Sequence, residues 1–287
     1  MPKTTAELVT LLDLEEIEVG LFRGAQPDTE AQRTFGGQVL AQALVAAQRT
    51  VGDDRLCHSL NAYFLRPGDP TKPLIYDVET LREGRSFSTR RIVARQGGRN
   101  SFAMNASFHV KEPGLDHSDR APGNVPPPQE CRSLTEVMAE RFGPESPLWK
   151  TWEALDVRFA GDSGPEHSIE ARSHSAHMRV WVRTAQPMPD DPGLHQAVLA
   201  YLSDMTLLSV ITIPHQRQFS RSDVVAASMD HAMWFHRPVR TDEWLLYDMV
   251  SPAAASGLGF STGRLLQDGT MVASCSQEGL VRVGDED

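Results

Sequence analysis

The sequence predicts an α+β fold made of two tandem copies of one unit, each with a long antiparallel sheet wrapped around a central apolar helix. One observation is an internal echo: FLRPGDPTKPLIYDVETL, which starts at Phe64, returns as FHRPVRTDEWLLYDMV, which starts at Phe235. The other is that each copy contains one helical segment that is apolar on nearly every face. Such a helix must be covered by other structure on all sides.

The echo keeps a constant spacing. Arg66-Pro67 returns as Arg237-Pro238 after 171 positions, and Tyr76-Asp77 returns as Tyr247-Asp248 after the same 171. A unit this long that occurs only twice differs from the short, many-fold repeats of a solenoid. At 287 residues, the chain also has the length of about two ordinary domains. The spacing therefore predicts a duplicated domain.

The elements come in the same order in each copy. Each begins with an extended segment, EEIEVGLFRG or HMRVWVRTAQ, whose partial alternation of apolar and polar residues is typical of a strand. The apolar helices are FGGQVLAQALVAAQRTV and LHQAVLAYLSDMTLLSVI, and three or four long strands come after each of them. Between the copies lies KEPGLDHSDRAPGNVPPPQE, a linker by its Pro, Gly and Asp content. We expect an N-terminal copy over residues 1–110, a linker with room for a short helix over 111–150, and a C-terminal copy over 151–287.

Composition excludes several classes of protein. A formal net charge of −10 argues against nucleic acid as a partner, because phosphate contacts need clustered Lys and Arg. No stretch of eighteen or more consecutive apolar residues appears, and the N-terminal segment has acids where a signal peptide would need an apolar core. The three scattered cysteines lack metal-ligand spacing and fit a reducing compartment. We expect a cytoplasmic protein without a membrane span.

Arginines cluster in one predicted strand of the first copy. Arg91, Arg95 and Arg99 would share one face of that strand. A solvated strand face explains them, and a landing site for an anionic head group such as a nucleotide phosphate is the alternative.

An apolar helix embraced by an antiparallel sheet, in a unit used twice, resembles the hotdog fold. The segments LLDLEEIEVGLFRG, FGGQVLAQAL, YFLRPGDPTKPLIYDVETLREGRSFSTRR, DHAMWFHRP and EWLLYD are similar to those of the type II acyl-CoA thioesterase family. The chain therefore resembles a double hotdog of that family over nearly its whole length. The resemblance implies hydrolysis of fatty acyl-CoA to free acid and CoA, with acyl-CoA as the partner and without a metal or organic cofactor.

The resemblance also implies a catalytic set. The family uses an Asp, a Thr or Ser, and a Gln to activate one water, and these fall on Asp204, Ser228 and Gln277. Many members carry Thr where this chain has Ser228. Serine keeps the hydroxyl but loses the methyl group that restricts its rotamer, so the water could be held less firmly.

The sequence around Asp204 supports a special role for this carboxylate. Its neighbours in AVLAYLSDMTLLSVIT are nearly all apolar, and burial of an unpaired carboxylate is costly or raises its pKa. The alternative is that Ser203 or Asp204 caps a second helical segment that starts at Met205.

The first copy holds different residues at the equivalent positions. For the helices, the alignment of Gln38 with Gln196 defines the spacing; for the strands, the spacing is 171 or about 170. The predicted pairs are Ala46 with Asp204, Cys57 with Ser228, and Ser107 with Gln277. Only the second copy can act as a set, so we expect a single active site in the chain.

The chemistry of a thioester suits such a set. Its carbonyl carbon is electrophilic and its thiolate leaves easily, so a water that is positioned and partly deprotonated can suffice. Asp204 would be the general base, and Ser228 and Gln277 would hold the water. The oxyanion needs donors, which the N-terminus of the first-copy helix offers at Gly37 and Gln38. A plain tight turn explains the glycines of FGGQ as well.

His58 comes directly after Cys57 in the sequence. Adjacent residues on a strand point to opposite faces, which argues against a nucleophile and base pair. Two roles stay open for His58: support of the substrate pocket, since it neighbours the position equivalent to Ser228, or a structural hydrogen bond.

Two further motifs have simpler explanations than catalysis or metal binding. GFSTG matches the nucleophile elbow G-x-S-x-G, but the residues after Ser261 predict a hairpin that turns at Asp268-Gly269 instead of the required helix. No metal site is expected, because the two histidine pairs lack the acidic or Cys partners that zinc recruits. These pairs are His174 with His177, and His231 with His236.

Two other functions share the predicted fold. A non-catalytic acyl-CoA binding or sensing protein would need the tunnel but not the Asp, Ser and Gln set. A hotdog-fold hydratase or dehydratase would need an acid and base pair, but His195 and Asp204 are nine residues apart and lie on different helix faces. We also expect the two sheets to pair edge to edge, and the chain to form a homodimer or homotetramer.

Overall fold

The computed structural model describes residues 1–143, 152–164, 169, 176–215 and 224–283. Its helices are α1 (Thr5–Leu12), α2 (Gly36–Gln48), α3 (Leu134–Phe142) and α4 (Pro192–Ser203), with 3-10 helices at Pro128–Glu130 and Leu208–His215. The strands of the first half are β1 (Glu15–Glu18), β2 (Leu21–Gly24), β3 (Arg55–Phe64), β4 (Leu74–Glu83), β5 (Phe87–Gln96) and β6 (Arg99–Val110). Those of the second half are β7 (Leu155–Asp162), β8 (Ala176–Thr184), β9 (Val224–Ser228), β10 (Asp230–Phe235), β11 (Leu245–Ala255), β12 (Leu258–Gln267) and β13 (Thr270–Val283).

The described strands form one antiparallel sheet. Its order is β1-β2-β4-β5-β6-β3-β10-β13-β12-β11-β8-β7, with β9 also paired to β13. From each outer edge to the middle, the two halves show the same succession of strands. They meet where β3 pairs with β10. This is the predicted α+β double hotdog, and the predicted edge-to-edge pairing of the two sheets is confirmed.

The central helices α2 and α4 pack against each other in antiparallel orientation. Gln48, at the C-terminal end of α2, donates to the carbonyl oxygen of Gly193, at the start of α4, at 3.0 Å. At the other end, the first residues of α2 lie beside Asp204, which comes directly after α4. Every residue from Gly37 to Ala47 is buried. Both apolar segments therefore form the enclosed helices that their composition predicts.

The second helix ends earlier than its apolar segment. Asp204 is the C-cap of α4, and the Tyr247 hydroxyl donates to the carbonyl oxygen of Ser203 at 2.7 Å, which satisfies an acceptor at the helix end. Residues 204–207 form a turn, and a 3-10 helix follows at Leu208–His215. A second helical segment thus follows, as the alternative expected, but it starts at Leu208 instead of Met205, and neither Ser203 nor Asp204 caps it among the described hydrogen bonds.

The strand register corrects one predicted pair. Both copies pair the central strand with the last strand in the same register, as two equivalent pairs show: Asn61 with Asn105, and Ala232 with Ser276. One position further along the last strand, the first-copy equivalent of Gln277 is therefore Ala106, and the predicted equivalent, Ser107, was wrong by one residue. Because neighbours on a strand face opposite sides, the difference matters. Ala106 and Gln277 are each 1 % exposed and both face the core.

The linker lies along the second copy. Trp181 donates its indole N–H to the carbonyl oxygen of Pro126 at 2.8 Å, and the backbone N–H of Met271 donates to the Ser118 hydroxyl at 3.1 Å. The short helix expected in this region is α3, which begins with a capping box at Ser133. The residue limits proposed for the two copies and the linker stay predictions.

Within the part of the chain that the structure describes, one helical segment is long and apolar enough to cross a membrane, namely Pro192–His215, which includes α4. Its most apolar window is 72 % buried within the fold. That burial is typical of a core helix.

Candidate active site

Asp204 gathers the predicted polar side chains around one carboxylate. It is 8 % exposed. Its Oδ1 accepts a hydrogen bond from Ser228 Oγ at 3.1 Å and another from Gln277 Nε2. The backbone N–H of Gly37 donates to the same carboxylate. The structure thus brings together Asp204, Ser228 and Gln277, which lie far apart in the sequence.

Two strands deliver the hydroxyl and the amide. Ser228 is the last residue of β9, and its register partner on β13 is Gly279. Gln277 lies two residues earlier on β13, and alternation places Cys275, Gln277 and Gly279 on the buried face. The side-chain alternation of β13 therefore directs the Gln277 amide towards Asp204 at the end of α4.

The N-terminus of α2 completes the surroundings of the carboxylate. Its first intrahelical bond runs from the N–H of Val39 to the carbonyl oxygen of Phe35 at 3.3 Å, and no side chain caps the helix. The N–H groups of Gly36 to Gln38 therefore lie outside the intrahelical ladder, and the helix dipole favours a negative charge there.

Close approach explains the two glycines of FGGQ. A Cβ on Gly36 would lie 2.7 Å from Asp204 Oδ2, and a Cβ on Gly37 would lie 2.3 Å from the carbonyl oxygen of Tyr201. No side chain fits at either distance without a shift of its neighbours. The glycines thus let the first-copy helix contact the second-copy carboxylate.

The environment makes Asp204 more basic than an ordinary aspartate. Burial raises the pKa of its carboxyl group from 3.8 to about 6, against the lowering effect of the hydrogen bonds from Gln277, Ser228 and Gly37. Near neutral pH the group is still mostly ionised. A carboxylate with such a pKa can accept a proton during a reaction and release it again.

His231 is the residue of this cluster that the sequence did not reveal. Its ring is fully buried, with Nε2 2.9 Å from Ser203 Oγ and Nδ1 3.3 Å from Gln277 Nε2. Burial lowers its pKa to about 4, so it is neutral near neutral pH. The structural equivalent in the first copy is Leu60, also fully buried. That contrast was a usable signal, but the sequence drew attention to His231 only as a rejected zinc ligand.

The other two predicted side chains make different contacts. Gln38 Nε2 donates to the carbonyl oxygen of Ala25 at 3.2 Å and to Gln26 Oε1 at 3.0 Å, so its amide holds the loop that precedes α2. His58 Nε2 lies 2.8 Å from Ser107 Oγ, and its ring packs against other rings of the first copy. Neither side chain contributes a hydrogen bond to Asp204 among the contacts that the structure describes.

The alternative nucleophiles are poorly placed. Ser261 lies on β12, which leads through a turn with positive φ at Asp268 (50°) and Gly269 (77°) into β13, so no helix comes after the serine. The predicted hairpin is confirmed. Cys57 is buried, which raises the pKa of its thiol far above the ordinary value, and its Sγ contacts the carbonyl oxygen of Ser59. A thiol in this state is a weak nucleophile.

The other described histidines that the sequence analysis named also contact groups other than Asp204. His177 Nε2 lies 2.6 Å from Asp248 Oδ1. His195 Nδ1 lies 3.0 Å from Thr241 Oγ1 near the start of α4, whereas Asp204 is at the end of that helix, so the two cannot act as a pair. His174 lies outside the described residues.

Two arginines of the first-copy cluster lie beside acids. Arg91 lies 3.9 Å from Glu79, and Arg95 lies 3.2 Å from Asp77, with all four side chains largely exposed. These contacts favour a solvated strand face over an anion site.

The fold and the site together define a class of protein: a tandem double hotdog with one buried carboxylate that is held by a hydroxyl and an amide. Residues 155–280 match the family described as acyl-CoA thioesterase, and residues 25–109 match its N-terminal domain. Acyl-CoA thioesterase 2 of Haemophilus influenzae is 37 % identical over 97 % of this chain and 98 % of its own length. The human acyl-coenzyme A thioesterase 8 is 37 % identical over 96 % of this chain and 89 % of its own length.

Solved structures give the same result. The acyl-CoA thioesterase II TesB2 of Mycobacterium marinum superposes with a TM-score of 0.82 at 40 % identity, over 96 % of this chain and 98 % of that one. A dehydratase domain of PpsC from Mycobacterium tuberculosis, at 13 % identity and a TM-score of 0.53, shares the fold alone. The chain belongs to the type II acyl-CoA thioesterase family.

Proposed function

We propose that this protein hydrolyses fatty acyl-CoA to free fatty acid and CoA, and that Asp204 activates the attacking water with the help of Ser228 and Gln277. Membership of the family supports the reaction. The observation that supports the assignment of residues is that the hydroxyl of Ser228 and the amide of Gln277 converge on one carboxylate oxygen of a buried aspartate.

The reaction needs one base and one set of donors. Asp204 takes a proton from water as the oxygen attacks the thioester carbonyl carbon, and a tetrahedral oxyanion forms. The backbone N–H groups at the start of α2 stabilise negative charge. The N–H of Gly37 donates to the Asp204 carboxylate, and the N–H of Gln38 donates to the oxyanion as it forms. When the carbon–sulfur bond breaks, the CoA thiolate receives the proton held by Asp204, and the base is regenerated.

Two alternative functions receive less support. A binding or sensing protein has no use for a carboxylate whose burial raises its pKa to about 6. A hydratase or dehydratase would need His195 beside Asp204, but these residues are at opposite ends of α4. Cytoplasmic localisation and a homodimeric or homotetrameric assembly stay part of the proposal. Light scattering would overturn the assembly if it reported only a monomer of 31.7 kDa at micromolar concentration.

The test is a panel of acyl-CoAs of increasing chain length, with release of free thiol monitored by a chromogenic reagent. We expect release from at least part of the panel, with kcat/KM falling as the pH drops through about 6 because Asp204 becomes protonated. The matched variants are Asp204→Asn, which should be nearly inactive, and Ser261→Ala, which should retain most of the activity. Absence of thiol release from every acyl-CoA would overturn the proposal.

A further inference from the structure

The Gln277 amide can be held in two orientations, and only one of them suits the site. Its oxygen and NH2 group have nearly the same shape, so packing alone does not choose between them. With the NH2 group towards Asp204, the amide donates to the carboxylate. With the oxygen there, two acceptors would face each other in a site where Gln277 is 1 % exposed.

A chain of hydrogen bonds from α4 decides which atom of His231 carries its proton. The Ser203 hydroxyl donates to the carbonyl oxygen of Ala200 at 2.9 Å. A hydroxyl has a single hydrogen, so when Ser203 donates it to this carbonyl oxygen, its Oγ accepts from His231 Nε2, which lies 2.9 Å away. Nε2 therefore carries the hydrogen, and Nδ1 of the neutral ring presents a lone pair.

That lone pair faces the amide. His231 Nδ1 lies 3.3 Å from Gln277 Nε2, so the NH2 group meets an acceptor on the ring as well as one on Asp204. A flipped amide would place its oxygen against both. In the observed orientation, Gln277 Oε1 is buried and has no partner among the described residues, which leaves it available to accept a hydrogen from a water.

We propose that His231 is a positioning residue: as a neutral ring with its hydrogen on Nε2, it fixes the Gln277 amide with NH2 towards Asp204 and the oxygen towards the attacking water. This inference rests on the proposed function. The first copy supports it independently, because Leu60 fills the equivalent buried position where Ala106 replaces Gln277. The histidine occurs where there is an amide to orient.

Two substitutions of His231 distinguish a role in orienting the Gln277 amide from a role in supporting the fold. His231→Asn places an oxygen acceptor where Nδ1 stands but cannot reach Ser203. His231→Gln can reach Ser203 with its NH2 group but has no acceptor at the position of Nδ1. We expect His231→Asn to stay within about threefold of the native kcat, and His231→Gln to lose roughly tenfold to a hundredfold at a similar KM, as for a disturbed general base system. The opposite ranking would mean that the histidine only supports α4, and would overturn the proposal.

The pH profile gives a second readout. Loss of the oriented amide removes a hydrogen bond that lowers the pKa of Asp204, so the acid limb of kcat/KM should move to higher pH in His231→Gln and stay in place in His231→Asn. Among the described residues, the other titratable groups that face Asp204 are Tyr247, Cys275 and His231 itself. Burial raises the pKa of the Tyr247 phenol and that of the Cys275 thiol, and lowers that of the ring, so all three stay neutral near pH 6. An acid limb that does not move in His231→Gln would overturn the proposal.

A double-mutant cycle tests whether His231 affects kcat through the Gln277 amide. If His231 acts through the amide, His231→Gln should cause no further loss of kcat in a Gln277→Ala background, and additive losses would overturn the proposal. Carbon-13 NMR titration of the Asp204 carboxyl gives a readout that needs no turnover. If the native protein released no thiol, the proposed function would fail, whereas a higher Asp204 pKa in His231→Gln than in His231→Asn would still establish the orientation by His231.

Discussion

Three core-facing positions of the sheet are apolar in the first copy and polar in the second. At three equivalent strand positions the first copy has Cys57, Leu60 and Ala106, and the second has Ser228, His231 and Gln277. The strand order and the enclosed helix are nevertheless alike in the two copies. The fold therefore does not require the polar residues, and a function must account for their presence.

The largest expected effect in this comparison comes from the carboxylate. Asp204→Asn should lower kcat by roughly two to four orders of magnitude with little change in KM, the usual share of a general base, because the amide keeps the shape and loses the basicity. Steady-state thiol release measures it, and circular dichroism should show an unchanged fold. Near-native activity in this variant, together with inactivity of a His58 or Ser261 variant, would show that the working residues have been misassigned.

The reverse change should harm the first copy. Ala46 is fully buried and is the predicted equivalent of Asp204. Ala46→Asp should lower the free energy of unfolding by about 3 kcal/mol or more, since a carboxylate would be buried without partners, and should add no activity. Urea unfolding at pH 8 measures it, with Ala46→Asn as the uncharged control. A gain in turnover would instead mean that the first copy retains a usable site.

The pKa of Asp204 predicts a stability effect of intermediate size. A carboxyl group whose pKa rises from 3.8 to about 6 on folding contributes stability that is complete below pH 4 and is lost as the pH rises through about 6. Asp204→Asn does not titrate, so it should be more stable than the native protein by about 1 to 3 kcal/mol at pH 8 and nearly equal to it at pH 4. Denaturant melts at both pH values measure this. A native protein that is the more stable one at pH 8 would contradict the predicted cost of ionisation.

The smallest expected effect concerns the hydroxyl. Ser228→Ala should lower kcat by about tenfold, since Asp204 and Gln277 still hold the water but hold it less well. Ser228→Thr, which keeps the hydroxyl and restricts its rotamer, should match or slightly exceed the native kcat. Parallel thiol-release assays compare the two variants. If Ser228→Thr were as slow as Ser228→Ala, the methyl group would not fit beside the carboxylate.

The duplication could be predicted from the sequence because strand and helix patterns leave local signatures. The repeated residues Tyr76 and Tyr247 both turn towards the central helices. Tyr76 donates to the side chain of Gln42, and Tyr247 donates to the carbonyl oxygen of Ser203. Both tyrosines are fully buried, so the same residue type fills the same place in both cores.

The finer details of the site depended on contacts between distant segments. The first-copy residue predicted to be equivalent to Gln277 was wrong by one position. Weak sequence similarity between β6 and β13 does not fix the strand register, whereas backbone pairing does. His231 escaped notice because its role depends on Ser203, which is 28 residues away in the sequence and 2.9 Å away in space.

Covalent linkage of the two copies has a consequence for symmetry. In a two-fold symmetric homodimer, every substitution appears at both related positions, so the surroundings of the two helices cannot diverge. Here α2 and α4 meet as such a pair, yet one helix contributes N–H groups from Gly37 onwards and the other contributes Asp204. A single chain can change one position and leave its counterpart alone. The tandem arrangement thus permits donors from one half and a base from the other to evolve separately.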